Sequence, residues 1–270
     1  MGDSCSPDVR HKRVHLVYVE QRQPVAPAQP DLNIAEKIIG RWIQAEVDGQ
    51  PALTNRKNIT TFYSPTLATV STSRITPQSA VWSNNQEFDV KIDGNKVTLT
   101  RQDDETTSLR NEYLISSITD TEMVCLFKHI TSKNGRESSP SDQIIRYTKV
   151  SADYTKSILG TWEGRSTGEE GSEFDDGENH RWKYFDDGTF NYFHKVEGQW
   201  QMSIDEYSEY FLEGYLLCTR WKNDGDDKKE NREWWEIESI ENDVMRWKAL
   251  RQREDGTTYT ATFEMVKVTE

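Results

Sequence analysis

The feature that most constrains this chain is a segment that occurs twice. Ile38-Ile39-Gly40-Arg41-Trp42 returns 120 positions later as Ile158-Leu159-Gly160-Thr161-Trp162. Ile115-Ser116-Ser117-Ile118, followed by Met123, returns at an offset of 122 as Ile237-Glu238-Ser239-Ile240, followed by Met245. Tyr147-Thr148-Lys149-Val150 returns at an offset of 118 as Met265-Val266-Lys267-Val268. Three matches in one order, with small insertions between them, mean a duplicated unit. Residues 31–151 and 152–270 are read as the two copies, each a single-domain size. Residues 1–30 lack periodicity and end in the Pro-rich run 23–30, which reads as a disordered tether.

Within each copy the apolar period is two. Glu87-Phe88-Asp89-Val90-Lys91-Ile92 and Tyr259-Thr260-Ala261-Thr262-Phe263 alternate as half-buried strands do. Asp-Gly pairs at Asp48, Asp93, Asp176, Asp187, Asp224 and Asp255 punctuate the runs. Asp-Gly between alternating runs predicts hairpins with type I′ turns, whose two central residues both have positive φ. The pattern predicts about eight strands per copy: 41–47, 57–63, 67–74, 87–92, 96–101, 112–118, 122–129 and 143–149, then 161–167, 180–185, 189–195, 198–204, 210–221, 231–239, 243–252 and 257–268. Links of hairpin length make a meander, and a long meander hides its edges by closing. The expected fold is therefore all-β, two tandem eight-stranded antiparallel up-and-down barrels. Each is preceded by a short helical turn, at 32–39 and at 152–159.

Each Gly-x-Trp, with the helical turn before it, resembles the opening of the lipocalin and calycin group, and in particular of the small lipocalin-like domains of bacterial envelope proteins. The resemblance implies that Gly40 and Trp42, and Gly160 and Trp162, stand where that family plugs the closed end of its barrel. Ile118-Thr119-Asp120-Thr121 matches the family's Thr-Asp-Tyr turn in part, lacking the Tyr, whereas Ile240-Glu241-Asn242-Asp243 matches only in position. The family's last-strand Arg, which covers the Trp, falls on Arg146 in the first copy and has Glu264 as counterpart in the second. These motifs imply a fold and name no ligand.

No recognisable catalytic motif occurs. The sequence has no Gly-x-Ser-x-Gly, Walker or dinucleotide pattern, and the chain is read as a non-enzyme with no cofactor and no metal. His180 and His194 fall on neighbouring strands, and they read as satisfied barrel histidines. Asn223-Asp224-Gly225-Asp226-Asp227 faintly resembles a calcium loop but lacks its downstream Glu. Cys125 and Cys218 sit in apolar runs and read as buried thiols. A net charge of −13 argues against a nucleic-acid partner. The charge is uneven: 27 acidic residues face 15 basic ones from Tyr154 onward, whereas the first 153 residues hold 19 and 18.

Aromatic residues carry the functional expectation. Seven of the nine Trp lie in the second copy. Trp182, Trp200, Trp221, Trp234, Trp235 and Tyr192 are the candidate contacts for a ligand or partner. Adjacent strand residues point to opposite faces, so one of Trp234 and Trp235 faces in and the other out. The chain is read as a binding protein holding a small apolar or amphipathic ligand in one barrel. The alternative is a pair of solid barrels that recognise protein or glycan through an exposed aromatic and acidic face of the second copy. Gly2-Asp3-Ser4-Cys5 resembles the start of a processed lipoprotein, with Cys5 as lipidated residue and sole membrane attachment, which places the chain in the cell envelope.

Overall fold

A computed structural model of the chain describes residues 33–72, 82–167, 178–203, 205–223 and 230–269. The tether, Cys5, most of the Asp-rich stretch at 223–227 and the Asp176 turn lie outside these residues.

The first unit opens with α1 (Ile34–Lys37) and continues through β1 (Gly40–Val47), the short β2 (Gln50–Pro51), a 3-10 turn η1 (Thr54–Arg56), β3 (Ile59–Ser64), β4 (Leu67–Thr72), β5 (Ser83–Asp93), β6 (Lys96–Gln102), β7 (Thr107–Ile118), β8 (Glu122–Lys133), the short β9 (Arg136–Glu137) and β10 (Gln143–Val150). Eight of these strands form a closed antiparallel barrel, because β10 pairs with both β8 and β1. Alternation directs Trp42, Phe62, Phe88, Val97, Leu99, Tyr113, Ile115, Cys125, Ile145 and Tyr147 into a continuous core.

The second unit comprises β11 (Gly160–Ser166), β12 (His180–Tyr184), β13 (Phe190–Val196), β14 (Gln199–Met202), β15 (Asp205–Glu213), β16 (Leu216–Asn223), β17 (Glu230–Glu241), β18 (Val244–Gln252) and β19 (Thr258–Val268). They form one curled nine-stranded meander with β14 and β15 at its ends. Those end strands are consecutive in the chain and share the part of β5, whose first half pairs with β4 and second half with β6. A lone bridge between Thr189 and Glu209 joins the two sides of the curl. Beside it the Tyr210 N–H donates to the Gly188 carbonyl at 2.8 Å, the counterpart of Val90 to Thr66 at 2.9 Å in the first unit.

The all-β meander in two units agrees with the alternation of the sequence. Two details differ from it. Residues 210–221 form two strands, because Gly214 turns the chain at φ +66°, pressed against Val150 of the first unit. Of the described Asp-Gly pairs only Asp48-Gly49 has positive φ at both residues; at Asp93, Asp187 and Asp255 the Gly alone carries it. At Asp187 and Asp255 the carboxylate instead accepts from the backbone N–H and hydroxyl of the Thr two residues on, at 2.6 to 2.9 Å. The turn is held by side-chain bonding that is local and independent of type I′ geometry.

Gly-x-Trp is built identically in both units. Trp42 and Trp162 are fully buried, and each indole N–H donates at 2.6 Å to a carbonyl four residues earlier, that of Ile38 or Ile158. The cation over the ring is Lys149 in the first unit and Lys267 in the second, with Nζ 5.1 and 5.2 Å from the ring centres. This corrects the assignment of that place to Arg146 and Glu264. Ile145 and Tyr147 face inward, so Arg146 between them faces outward, where it meets Glu46 and Glu122. Thr119 closes its turn by accepting from the Glu122 N–H at 3.0 Å, while Asp120 is exposed.

The units share a third apolar cluster of Ile43, Ile59 and Val150 from the first and Phe211, Leu216 and Cys218 from the second. Trp234 packs against it, so the outward Trp of the pair meets the first unit, and Trp235 enters the second unit's core at 2% exposure.

Candidate functional site

The two units differ where β17 and β18 run side by side. In the first unit the equivalent strands, β7 and β8, pair along their whole length, from Ile118 opposite Met123 to Thr107 opposite Lys133. In the second, pairing runs from Glu241 opposite Val244 only as far as Glu236 opposite Lys248. Beyond that point each strand keeps its outer neighbour, β16 or β19, and the two part from each other.

The 3-10 turn of the first unit enters the fork. The Thr54 hydroxyl donates to Glu236 Oε1 at 2.7 Å and accepts from the Leu250 N–H at 2.9 Å. Lys57 Nζ reaches the same Glu236 oxygen at 2.8 Å. A cavity of 410 Å3 lies beyond this plug, within the range of small-molecule sites. It is walled by Leu53 to Arg56 of the first unit and by Trp221, Asn231 to Trp234, Arg251, Gln252 and Tyr259 of the second. Trp162 and its covering Lys267 pair at the far end of β11 and β19, so the cavity occupies the end of the unit opposite the Trp plug.

Parity accounts for two of the charged wall residues, Glu233 and Arg251. Trp235 and Ile237 on β17, and Met245, Trp247 and Ala249 on β18, are inward core residues. Glu233 and Arg251 continue those two inward rows. Glu233 Oε2 accepts from Trp235 Nε1 at 3.3 Å. Burial pushes its carboxyl up to about 7, opposed by the Trp235 hydrogen bond. The Arg251 guanidinium lies 4.5 Å from the Trp235 ring centre, and burial holds its pKa below the ordinary value. The Tyr184 hydroxyl and Trp247 Nε1 are buried without a hydrogen-bond partner. Burial raises the Tyr184 pKa well above its ordinary value, and the Glu233 charge raises it further.

The offset of 122 that relates Ile115 to Ile237 places Asn111 opposite Glu233, and His129 opposite Arg251, in the two copies. Asn111 and His129 are paired across β7 and β8, and His129 Nδ1 bonds the Asn111 side-chain oxygen at 2.7 Å. In the first unit this position holds a hydrogen-bonded pair in which Asn111 is buried and His129 exposed, and in the second Glu233 and Arg251 border a cavity.

Of the six aromatic candidates, Trp221 and Trp234 line the cavity and Trp235 supports it from behind. Trp182 and Tyr192 lie in the aromatic core, their rings 5.4 Å apart, with Tyr192 also bonded to His180 at 2.7 Å. Trp200 stands apart on β14, between Arg181 at 4.3 Å and Lys195 at 4.9 Å. His194 bonds Ser203 at 3.2 Å. Cys125 and Cys218 are 1% exposed, and burial pushes the Cys125 thiol up to about 12. Among the described residues no group of three or more His, Cys, Asp and Glu could hold a metal. Glu233, Arg251, Tyr259 and the Thr54 plug escaped sequence reasoning. A charged residue in phase with an inward apolar row was the signal available for Glu233 and Arg251.

Comparison with protein-family models and with curated proteins finds no match. Among solved structures, a protein of unknown function from the DUF3598 family of Nostoc punctiforme PCC 73102 aligns at a TM-score of 0.24 and 11% identity, over 89% of this chain and all of that one. A tryptophan-to-alanine variant of the vaccine antigen transferrin binding protein B from Haemophilus parasuis Hp5 aligns at 0.24 and 6%, over 79% of this chain and 61% of that one. A double variant of the same antigen aligns at 0.23 and 8%, over 79% and 54%. Overlap at this level identifies neither a family nor a ligand.

Proposed function

We propose that this chain is a non-enzymatic, tandem lipocalin-like binding protein whose first unit is a solid support and whose second holds a small amphipathic ligand. The observation that carries this reading is the 410 Å3 cavity where β17 and β18 part. Its wall combines ring faces from Trp221, Trp234 and Tyr259 with polar groups from Asn231, Glu233, Arg251 and Gln252, the mixture that small-molecule sites use for affinity and orientation. No Ser, Cys or His lies among those wall residues, and the one hydroxyl nearest the fork, that of Thr54, is committed to Glu236 and Leu250. Recognition of protein or glycan by an outward aromatic face has less support, because Trp234 is turned toward the first unit and Trp182 is buried. Attachment to an envelope membrane through Cys5 belongs to the same proposal, and the intact mass of native protein checks it.

Tryptophan emission tests the binding. A panel of amphipathic ring compounds should contain members that shift the emission saturably. Trp221→Ala and Trp234→Ala, each folded by circular dichroism, should weaken that response by about tenfold, the loss expected for removing one ring contact. A panel that leaves the emission unchanged, or binding indifferent to both substitutions, overturns the reading.

A further inference from the structure

One open acceptor in the cavity wall narrows the ligand class, on the premise that the cavity is a binding site. Among the described residues Glu233 is the wall's carboxyl, and it makes one side-chain hydrogen bond, accepted from Trp235 Nε1 by Oε2 at 3.3 Å. Oε1 accepts none. It is not among the polar atoms sealed without a partner, so its lone pairs open on the cavity. No described cation forms an ion pair with this carboxyl, and burial moves it toward its neutral form. At the equivalent position of the first unit the acceptor is taken within the fold, because the side-chain oxygen of the buried Asn111 bonds His129 Nδ1 at 2.7 Å. The guanidinium groups of the wall are all engaged, Arg232 by Glu230 at 2.6 Å and Arg251 on the Trp235 ring at 4.5 Å. An inward acceptor among the ring faces of Trp221, Trp234 and Tyr259 calls for a hydrogen-bond donor carried on a ring. A cationic donor would share the wall with three guanidinium groups, and an anion would bring Oε1 no proton. A neutral donor meets neither cost.

We propose that the cavity takes a small uncharged ring compound bearing a hydroxyl or N–H group, its proton donated to Glu233 Oε1 and its ring against Trp221 and Trp234. The ionised carboxylate is the stronger acceptor, because a hydrogen bond to a charged group is the stronger kind. Binding therefore favours ionised Glu233 and releases a proton wherever the free carboxyl still holds one. With that carboxyl raised to about 7, affinity rises as pH rises through this value and levels off above it. Tyr184 of β12 is near enough to feel the Glu233 charge, and Arg56 of η1, Arg232 of β17, Arg251 of β18 and Tyr259 of β19 share the wall with it. Thr219, its pairing partner on β16, does not titrate. Arginine and tyrosine ordinarily titrate well above neutral pH, so the rise is assigned to Glu233.

The full chain is titrated calorimetrically with two donor probes, 2-naphthol and indole, with their methylated counterparts 2-methoxynaphthalene and 1-methylindole, and with the charged analogues 2-naphthoate and 2-naphthylmethylamine. At least one donor should bind, and its methylated counterpart should bind about tenfold more weakly, as for loss of a hydrogen bond to a charged group. Binding of 2-naphthol alone assigns a hydroxyl donor, and of indole alone an N–H donor; either supports the proposal. Affinity for the donor should rise between about pH 6 and about pH 8. Glu233→Gln keeps an acceptor oxygen and should remove that rise. Glu233→Leu, folded by circular dichroism, should bind the donor and its methylated counterpart equally. The donor class is overturned by methylated or charged probes that bind the native chain as tightly as the donors, by an affinity that stays flat or falls with pH, or by a donor preference that survives Glu233→Leu; the binding reading then stands. Failure of every probe overturns the donor class too, and the binding reading falls with it only if the wider panel of ring compounds leaves the emission unchanged.

Discussion

At the scale of single residues, close approach and burial set the sharpest requirements. A Cβ on Gly164 would lie 1.9 Å from the Glu264 carbonyl oxygen and 2.6 Å from Met265 Cα, both backbone atoms. Gly164→Ala should therefore lower stability by at least about 2 kcal/mol, read from the urea midpoint, because the strand must move to admit a methyl group. Glu233 makes stability depend on pH with a definite sign. Its carboxyl is raised to about 7, so above the ordinary Glu range the native state keeps a proton that the unfolded chain has released. Its contribution favours the native state fully below that ordinary range and is lost as pH rises through about 7. The urea midpoint should fall between about pH 5 and about pH 8, and Glu233→Gln should flatten the part due to this residue. Glu213 is raised in the same direction by burial, so the comparison with Glu233→Gln is what isolates Glu233.

At the scale of elements, the fork between β17 and β18 depends on one hydroxyl. Thr54 takes up the Leu250 N–H where the ladder stops and shares one oxygen of Glu236 with Lys57. Thr54→Val keeps the shape and removes both bonds. It should cost about 1 to 3 kcal/mol and accelerate amide exchange at Leu250, measured by hydrogen exchange. The turns show how far local chemistry reads from sequence. Asp-Gly did mark hairpins, but the mechanism at Asp187 and Asp255 is a carboxylate capping a Thr. The turn at 241–244 has positive φ at both Asn242 and Asp243 without any glycine, while its counterpart uses the Thr119 hydroxyl. One position in a duplicated fold is thus satisfied by two different local solutions.

At the scale of the whole molecule, the units are joined by a core of their own. Ile43, Ile59, Val150, Phe211, Leu216 and Cys218 are buried together, and Arg41 bridges Asp153 at 3.2 Å and Glu213 at 3.0 Å. Lys57 and Glu236 form a nearly buried pair across the same interface. Breaking such a pair costs more than its formation contributes, so these charges act mainly to fix the relative placement of the units. Calorimetry of the intact chain should give one cooperative transition. Phe211→Ala should cost about 3 to 5 kcal/mol and separate the transition into two, because it opens the shared core without touching either interior. A single transition at an unchanged midpoint would show that the units unfold together for another reason.

Alternation, the repeated Gly-x-Trp and the hairpin spacing are local signals, and from them the sequence by itself determined the all-β meander, most of its strands apart from the one read over 210–221, and the buried Trp42 and Trp162. It also placed Trp234 and Trp235 on opposite faces, because side chains alternate along any strand. What covers Trp42 was misread by three positions, since Arg146 and Lys149 differ in facing and only the closed register shows which one meets the ring. Of the site, Trp221 and Trp234 were legible as candidates, and the rest was decided by tertiary structure. Thr54 and Leu250 are separated by 196 positions, and no periodicity relates them. Glu233 and Arg251 look like surface charges until the curl of the second unit turns their rows inward and the parted strands leave a cavity between them. Burial, which raises the Glu233 carboxyl and lowers the Arg251 pKa, depends on which neighbours exclude water, and those neighbours are assembled only in the folded chain.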